Sequence, residues 1–255
     1  AEMRDLDHLT QQVESGEQVT IRNTTDERGV LALVGPKSRD VLAKLTDAPL
    51  DNENFRWRSS QDIEISGMKV RALRINYVGE LGWELHPKME DLSALYDAVW
   101  GAGQDQGMVD FGLYALNSLR MEKAYRGWGT ELTNEVTLLE ADMARFFSRT
   151  KADFVGKFAT EEKADNTLKL VYFEVNAKDS DVRGGEPIFI DDACIGVTTS
   201  GGYGYAVEKS LGFGYVSPEH ATPGSAFQVG LLDARYDARV LEDPAYDATN
   251  NRLAS

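Results

Sequence analysis

Past Lys163 the chain changes character, and this switch constrains its fold more than any other feature. Leu168-Lys169-Leu170-Val171-Tyr172-Phe173-Glu174-Val175 opens a run of short apolar stretches separated by Gly, Asp, Asn and Pro. Residues 187–190, 195–199, 212–216 and 227–229 continue it, at a spacing typical of a small barrel or sandwich. Before the switch, helical and strand periods are mixed. The prediction is an α+β first part over residues 1–163 and a small all-β barrel or sandwich over residues 164–255. Neither an internal repeat nor a low-complexity linker is visible.

Within the first part, residues 4–13 can form a short helix and residues 18–23 alternate as a strand should. A strand at residues 30–34 ends at Gly35-Pro36, and Pro36 sits where a first helical turn tolerates it, with Val41, Leu42 and Leu45 at helical spacing beyond. Residues 63–65 and 70–75 form a hairpin about Gly67. Helices follow over residues 90–100, with Leu92, Leu95, Tyr96 and Val99 on one face, and over residues 111–125, with Asp110 as N-cap and Leu113, Leu116, Leu119 and Arg120 recurring three or four apart. Gly127 and Gly129 end the second. The interval Arg126-Gly127-Trp128-Gly129-Thr130-Glu131-Leu132 suits a pocket lining, and helix termination explains the same glycines.

With 255 residues, 42% hydrophobic and 27% charged, the chain can bury one large core or two smaller ones. Its net charge of -15, with no local Lys and Arg cluster, opposes nucleic acid phosphates and anionic lipid. Cys194 is the only cysteine, so an intrachain disulfide and a thiolate metal cluster are both excluded, and its setting predicts a small buried hydrophobe. His8, His86 and His220 lack the spacing of a metal pair, and no metal site is expected. No stretch approaches the roughly 20 apolar residues of a membrane helix, and the start lacks a signal peptide's apolar run. The expectation is an intracellular protein, of the cytoplasm or, in a eukaryote, the mitochondrial matrix.

The segment Arg74-Ile75-Asn76-Tyr77-Val78-Gly79-Glu80-Leu81-Gly82-Trp83-Glu84-Leu85-His86-Pro87 crowds carboxylates, aromatics and glycines into strand-like surroundings. The chain is expected to turn at the glycines and re-enter a strand at Trp83-Glu84-Leu85. Tyr77 and Glu84 would then stand at the two limbs of a hairpin, an aromatic face and a two-oxygen acceptor able to converge on one ligand. A tight hairpin with both side chains merely solvated accounts for the same residues.

The pattern formed by Tyr77, Gly79, Glu80, Gly82 and Glu84 resembles the folate-binding signature of the glycine cleavage T-protein (aminomethyltransferase) family. Residues 76–85, Phe111-Gly112-Leu113-Tyr114-Ala115-Leu116-Asn117-Ser118-Leu119-Arg120-Met121-Glu122-Lys123 and Asp153-Phe154-Val155-Gly156 are similar to the C-terminal, tetrahydrofolate-dependent half of dimethylglycine and sarcosine dehydrogenases. The resemblance covers essentially the whole chain. It implies a T-protein-like folate-binding domain and a C-terminal barrel, with tetrahydrofolate as cofactor. It carries reception of the pterin ring to Glu84 and packing against the folate to Tyr77.

Three departures qualify it. Leu116-Asn117 stands where T-proteins carry an Arg-Asp pair, and the Lys-Gly-Cys-Tyr type of motif of a related iron–sulfur-repair group is missing. The family's N-terminal segment, with the aspartate thought to act near the folate nitrogens, has no matching position, so no catalytic residue is named and open sheet edges are expected. The function implied is methylene transfer to tetrahydrofolate, giving 5,10-methylenetetrahydrofolate, from the iminium of an N-methyl amine. The alternatives are a non-catalytic folate-binding or structural subunit or fragment of an amine-oxidising complex, and a demethylase of another methyl donor. A flavin fingerprint is absent, because Gly201-Gly202-Tyr203-Gly204 reads as a loop, so a flavoprotein dehydrogenase partner or a lost N-terminal domain is implied. Arg235 and Arg239 are candidates for the folate's glutamate tail, with solvated arginines as the plainer reading. Tyr203 and Trp128 are better explained by packing.

Overall fold

A computed structural model describes residues 2–163 and 167–255. The boundary expected between residues 163 and 164 falls on residues 164–166, which lie outside the described ones. The chain forms two compact units: residues up to Asn76 with Glu80–Met108 and Ser255, and Tyr77–Gly79 with Val109–Ala254.

The first unit contains α1 (Glu2–Gln11), β1 (Leu31–Val34), α2 (Ser38–Ala43), β2 (Ser60–Ile65), β3 (Met68–Leu73), β4 (Gly82–His86) and α3 (Leu92–Gly103). Its antiparallel sheet has the order β1-β4-β3-β2. A two-residue turn joins β2 to β3, and both its residues, Ser66 and Gly67, have positive φ, as a turn matched to strand twist requires. Alternation then sends Ile63, Ile65, Val70, Ala72, Leu33, Trp83 and Leu85 to one face, where Val41 and Leu42 of α2 and Leu95 and Val99 of α3 complete the core. Trp83 is fully buried, edge-on to Phe55 at 6.0 Å. Burial of side chains this large contributes about 1.5–3 kcal/mol each.

Three expectations for this unit need correction. Residues 18–23 form no strand: Val19 and Ile21 stay exposed, and no strand among the described residues pairs with the stretch. The helix after Gly35-Pro36 starts two residues past the proline, at Ser38. Tyr96 is exposed and stacks on Trp100 instead of joining the core.

The second unit contains α4 (Leu113–Glu122), α5 (Lys157–Glu162) and strands β5 (Lys169–Val175), β6 (Pro187–Ile190), β7 (Ala193–Gly204), β8 (Lys209–Val216), β9 (Ala226–Leu231) and β10 (Ala234–Val240). The six strands close into an antiparallel barrel, β10-β5-β8-β7-β6-β9, which selects the barrel over the sandwich. Its interior includes Val171, Phe173, Val175, Ile188, Val216, Phe227, Val229, Ala238 and Val240, with Phe173 edge-on to Phe227 at 5.1 Å. Gly201-Gly202-Tyr203-Gly204 is strand, not loop. Its glycines admit α4 against β7, for a Cβ at Gly202 would stand 3.0 Å from Asn117 Nδ2 and one at Gly204 2.8 Å from Glu122 Cγ.

Helix α4 departs from its amphipathic reading. Leu113 and Tyr114 are exposed, whereas Arg120, Met121 and Glu122 are buried. Its N-cap is Gly112, not Asp110, and it ends at Glu122, before Gly127 and Gly129, with Ala124 at positive φ just beyond. Cys194, expected buried, is exposed at the start of β7.

Candidate functional site

In the first unit, the β4 register determines what Glu84 faces. Trp83 and Leu85 point into the core, so Glu84 and His86 stand on the opposite face of the sheet. The positions across from Glu84 are Ala32 in β1 and Leu73 in β3, so neither directly opposite residue is a cation. Among the described residues its ion-pair neighbour is His86, with Nε2 3.5 Å from Oε2. That Nε2 is shielded from solvent and makes no hydrogen bond. Arg71 and Arg28, the cations next to His86, are engaged. Arg71, opposite His86, donates twice to Asp62 at 2.9 Å and holds the Asp62 carboxyl below the usual carboxylate range. Arg28 donates to the His86 backbone oxygen at 3.2 Å. The turn before β4 is closed by Asn76 Nδ2, which donates to Glu80 O at 2.7 Å.

Tyr77 belongs to the second unit, where the residues after α4 form its seat. Its hydroxyl donates to Arg126 O, and its ring stacks on Tyr125 with centroids 5.6 Å apart at 24°. Tyr77 remains 37% exposed. Burial pushes the hydroxyl above its ordinary value, so Tyr77 is a neutral donor throughout the physiological range.

Beneath this seat lies a buried polar network. Glu131 is fully buried, and its Oε1 accepts from Thr199 Oγ1 and Ser200 Oγ at 2.6 Å each. Its Oε2 accepts from Gly127 N at 2.6 Å, Thr130 Oγ1 at 2.9 Å and Arg120 Nη1 at 3.2 Å. A bulge in β7, where the register against β8 shifts between Thr198 and Ser200, lets two consecutive hydroxyls reach one carboxylate. Arg120 donates to Asn117 Oδ1, Ser200 Oγ and Tyr125 O, and Asn117 donates to Gly201 O at 2.9 Å. The charge pair is thus satisfied on both sides, as burial demands. The network fixes the backbone at Tyr125 and Gly127, on either side of the Arg126 carbonyl that holds Tyr77. Arg126 itself pairs with Asp142 and lies over the Phe213 ring at 5.6 Å, and burial lowers its guanidinium from the usual value.

The sequence singles out Tyr77 and Glu84 as site residues; it assigns no role to Tyr125 or His86, and Lys123 and Glu131 enter it only within the stretches 111–123 and 126–132. His86 was discoverable, since it is two residues past Glu84 and therefore shares its strand face. Glu131 is legible only as part of the 126–132 stretch that suits a pocket lining and not as a site residue in itself, because loop carboxylates are ordinarily solvated. The weaker candidates show other engagements. Arg235 donates to Asp191 O and covers the Phe189 ring at 4.0 Å, while Arg239 is exposed. Trp128 is 68% exposed, so it does not pack as expected. Tyr203 stands edge-on to Tyr205 at 5.0 Å. Among the described residues no cluster of His, Cys, Asp and Glu is arranged to hold a metal ion, and no helix is long and apolar enough to cross a membrane.

Comparison with known proteins gives this geometry a family. Residues 1–151 match the GCVT N-terminal domain and residues 169–247 the glycine cleavage T-protein C-terminal barrel domain. The chain is 41% identical to the mitochondrial dimethylglycine dehydrogenase of Homo sapiens, over 99% of this chain and 30% of that protein. It is 31% identical to the aminomethyltransferase of Natranaerobius thermophilus, over 95% of this chain and 67% of that protein. The crystal structure of the glycine cleavage system aminomethyltransferase T from Bartonella henselae superposes with a TM-score of 0.75 at 26% identity, covering 87% of this chain and 60% of that one. The chain therefore spans about a third of its dehydrogenase relative. It belongs to the glycine cleavage T-protein family as an aminomethyltransferase-like domain related to dimethylglycine dehydrogenases.

Proposed function

We propose that the chain is a tetrahydrofolate-dependent one-carbon transfer module. It takes the methylene of an iminium, formed when an N-methyl amine of the dimethylglycine or sarcosine type is oxidised; two C–N bonds to folate form as the bond to the amine nitrogen breaks, and of the two protons the folate nitrogens lose, one goes to the departing demethylated amine and one to solvent, yielding 5,10-methylenetetrahydrofolate. Folate supplies the two nitrogens that carry the carbon. The oxidation is assigned to a flavoprotein dehydrogenase, in the same polypeptide or in a partner.

The observation that carries this reading is the state of Glu84. A half-buried carboxylate on the polar face of a strand, opposed by Ala32 and Leu73 and with the His86 imidazole as its ion-pair neighbour among the described residues, has acceptor capacity to spare. A reduced pterin presents adjacent ring N–H and amino donors, and two carboxylate oxygens match that edge as a bidentate pair. Tyr77 supports the reading from its own unit, as a neutral, partly exposed ring held by Tyr125 and the Arg126 carbonyl. Its role is to pack against the folate. Orienting two reactants beside each other, and keeping water from an iminium that would otherwise release formaldehyde, supplies several kcal/mol of the barrier.

The test is titration with tetrahydrofolate under reducing, oxygen-free conditions, beside Glu84→Gln. Micromolar binding by the parent and a loss of about tenfold or more in the variant are expected, on the scale of one charge-assisted contact. Equal affinities would remove Glu84 from the site. Exchange of label from formaldehyde into methylenetetrahydrofolate then separates a transferase from a subunit that only binds, which would give the background rate.

A further inference from the structure

We propose that His86 is a positioning residue for Glu84, holding one carboxylate oxygen so that the remaining acceptor sites meet the ligand in a fixed orientation. The inference rests on the reading of Glu84 as the pterin-binding carboxylate.

The i, i+2 spacing on β4 places both side chains on the same face of the sheet, and the structure sets Nε2 3.5 Å from Oε2. This separation is just beyond a strong charge-assisted hydrogen bond, and a sub-ångström adjustment of either side chain closes it. Nothing competes for the nitrogen, which is shielded from solvent and has no hydrogen-bond partner. A polar atom removed from water and left unmatched favours whatever motion pairs it, and Glu84 is the acceptor at hand. Three cations along this edge are engaged elsewhere: Arg71 with Asp62, Arg28 with the His86 backbone oxygen, and Lys88 with Glu90 at 3.2 Å. The Arg28 contact also fixes the backbone from which the imidazole projects.

The chemistry suits a two-donor ligand. A carboxylate has about four acceptor directions, so one hydrogen bond from an imidazole N–H leaves Oε1 whole and half of Oε2. Both oxygens still accept from a pterin edge. What His86 removes is rotation about the Glu84 side-chain bonds, a freedom that would otherwise be lost on binding.

A double-mutant cycle on the whole chain tests this, with the dissociation constant for tetrahydrofolate as readout and thermal unfolding confirming that each variant is folded. His86→Leu is expected to weaken binding about tenfold, the scale of one charge-assisted hydrogen bond. His86→Gln, which returns an N–H near the same point, is expected to stay within about threefold of the parent on the same scale. In the Glu84→Gln background, His86→Leu should add little, because the group it positions is already changed. The same loss in both backgrounds, or no rescue by glutamine, would overturn the positioning role while leaving the folate reading intact. Absence of binding by the parent chain would overturn both.

Discussion

Gly79 lies directly on the aliphatic stem of Lys123, such that a Cβ at residue 79 would stand 2.2 Å from Lys123 Cγ and 2.4 Å from Cδ. Gly79 also has φ of +81°, a conformation that resists any side chain. Lys123 cannot easily retreat. Its side chain is buried, and its ammonium donates to Asp247 O at 2.6 Å with Asp247 Oδ2 3.6 Å away. The glycine of the Tyr77-Val78-Gly79 turn is therefore demanded twice, by its dihedral and by the lysine beneath it.

Gly79→Ala combines left-handed strain with overpacking, so a loss of about 2–4 kcal/mol is expected. Denaturant unfolding followed by circular dichroism measures it. A variant as stable as the parent would mean that Lys123 moves aside without cost. Lys123→Met, which keeps the stem and leaves the Asp247 turn without its cation, separates packing from pairing.

Tyr77→Phe isolates the hydroxyl. The stack on Tyr125 survives and the bond to Arg126 O does not. About 1 kcal/mol of stability should be lost, and folate affinity should fall less than in Tyr77→Ala, which removes the ring as well. If the two variants bind folate equally, the ring contributes nothing to the ligand and the role of Tyr77 is confined to the fold.

Much of this architecture is legible in the amino-acid order, and the exceptions have physical causes. Strands β5, β6, β8 and β9 announce themselves because their buried positions carry large apolar residues between turn formers, whereas β7 is legible only over residues 195–199, its buried positions being Thr, Ser and Gly. β10 stays hidden. Its Ala234-Arg235-Tyr236-Asp237-Ala238-Arg239-Val240 faces the interior with Ala238 and Val240, small side chains that fit because Phe173 and Phe227 already fill the space. Residues 18–23 mislead in the other direction, since alternation describes a strand only when something covers its apolar face. Glu84 shows itself through its neighbours in sequence. Glu131 does not, because the bulge that aims Thr199 and Ser200 at it, 68 and 69 residues away, is a property of the closed barrel and not of any local pattern.

Glu131→Ala should be among the most damaging substitutions in the second unit. It strands Arg120, Thr199 and Ser200 around a buried void, and removing one partner of a buried pair typically costs about 3–5 kcal/mol. Ser200→Ala removes one donor from a carboxylate that keeps four others and should cost about 1 kcal/mol. A urea midpoint for Glu131→Ala within error of the parent's would show the network to be dispensable. Because the chain forms two compact units, each variant needs probes in both before one transition is assumed.

The tyrosines set an alkaline limit on stability. Burial pushes the hydroxyls of Tyr77, Tyr172 and Tyr215 above the usual tyrosine value, and the charges of Glu131 and Glu140 add to the effect at Tyr215. A group whose proton is held more tightly in the folded chain contributes stability that is fully present below the unfolded value, near pH 10, and is lost as pH rises through the folded one. Stability should therefore not vary with pH through these groups near neutrality and should weaken progressively above about pH 10. Absorbance of tyrosinate near 295 nm and far-ultraviolet dichroism, recorded in one titration, should show the exposed tyrosines ionising first and these three only as the fold is lost. Tyr215→Phe, which removes the bond from the hydroxyl to Glu131 O at 2.7 Å, should lower neutral stability while removing part of the alkaline loss. Complete ionisation near pH 10 with the dichroism unchanged would mean that all three hydroxyls are open to water in the folded chain.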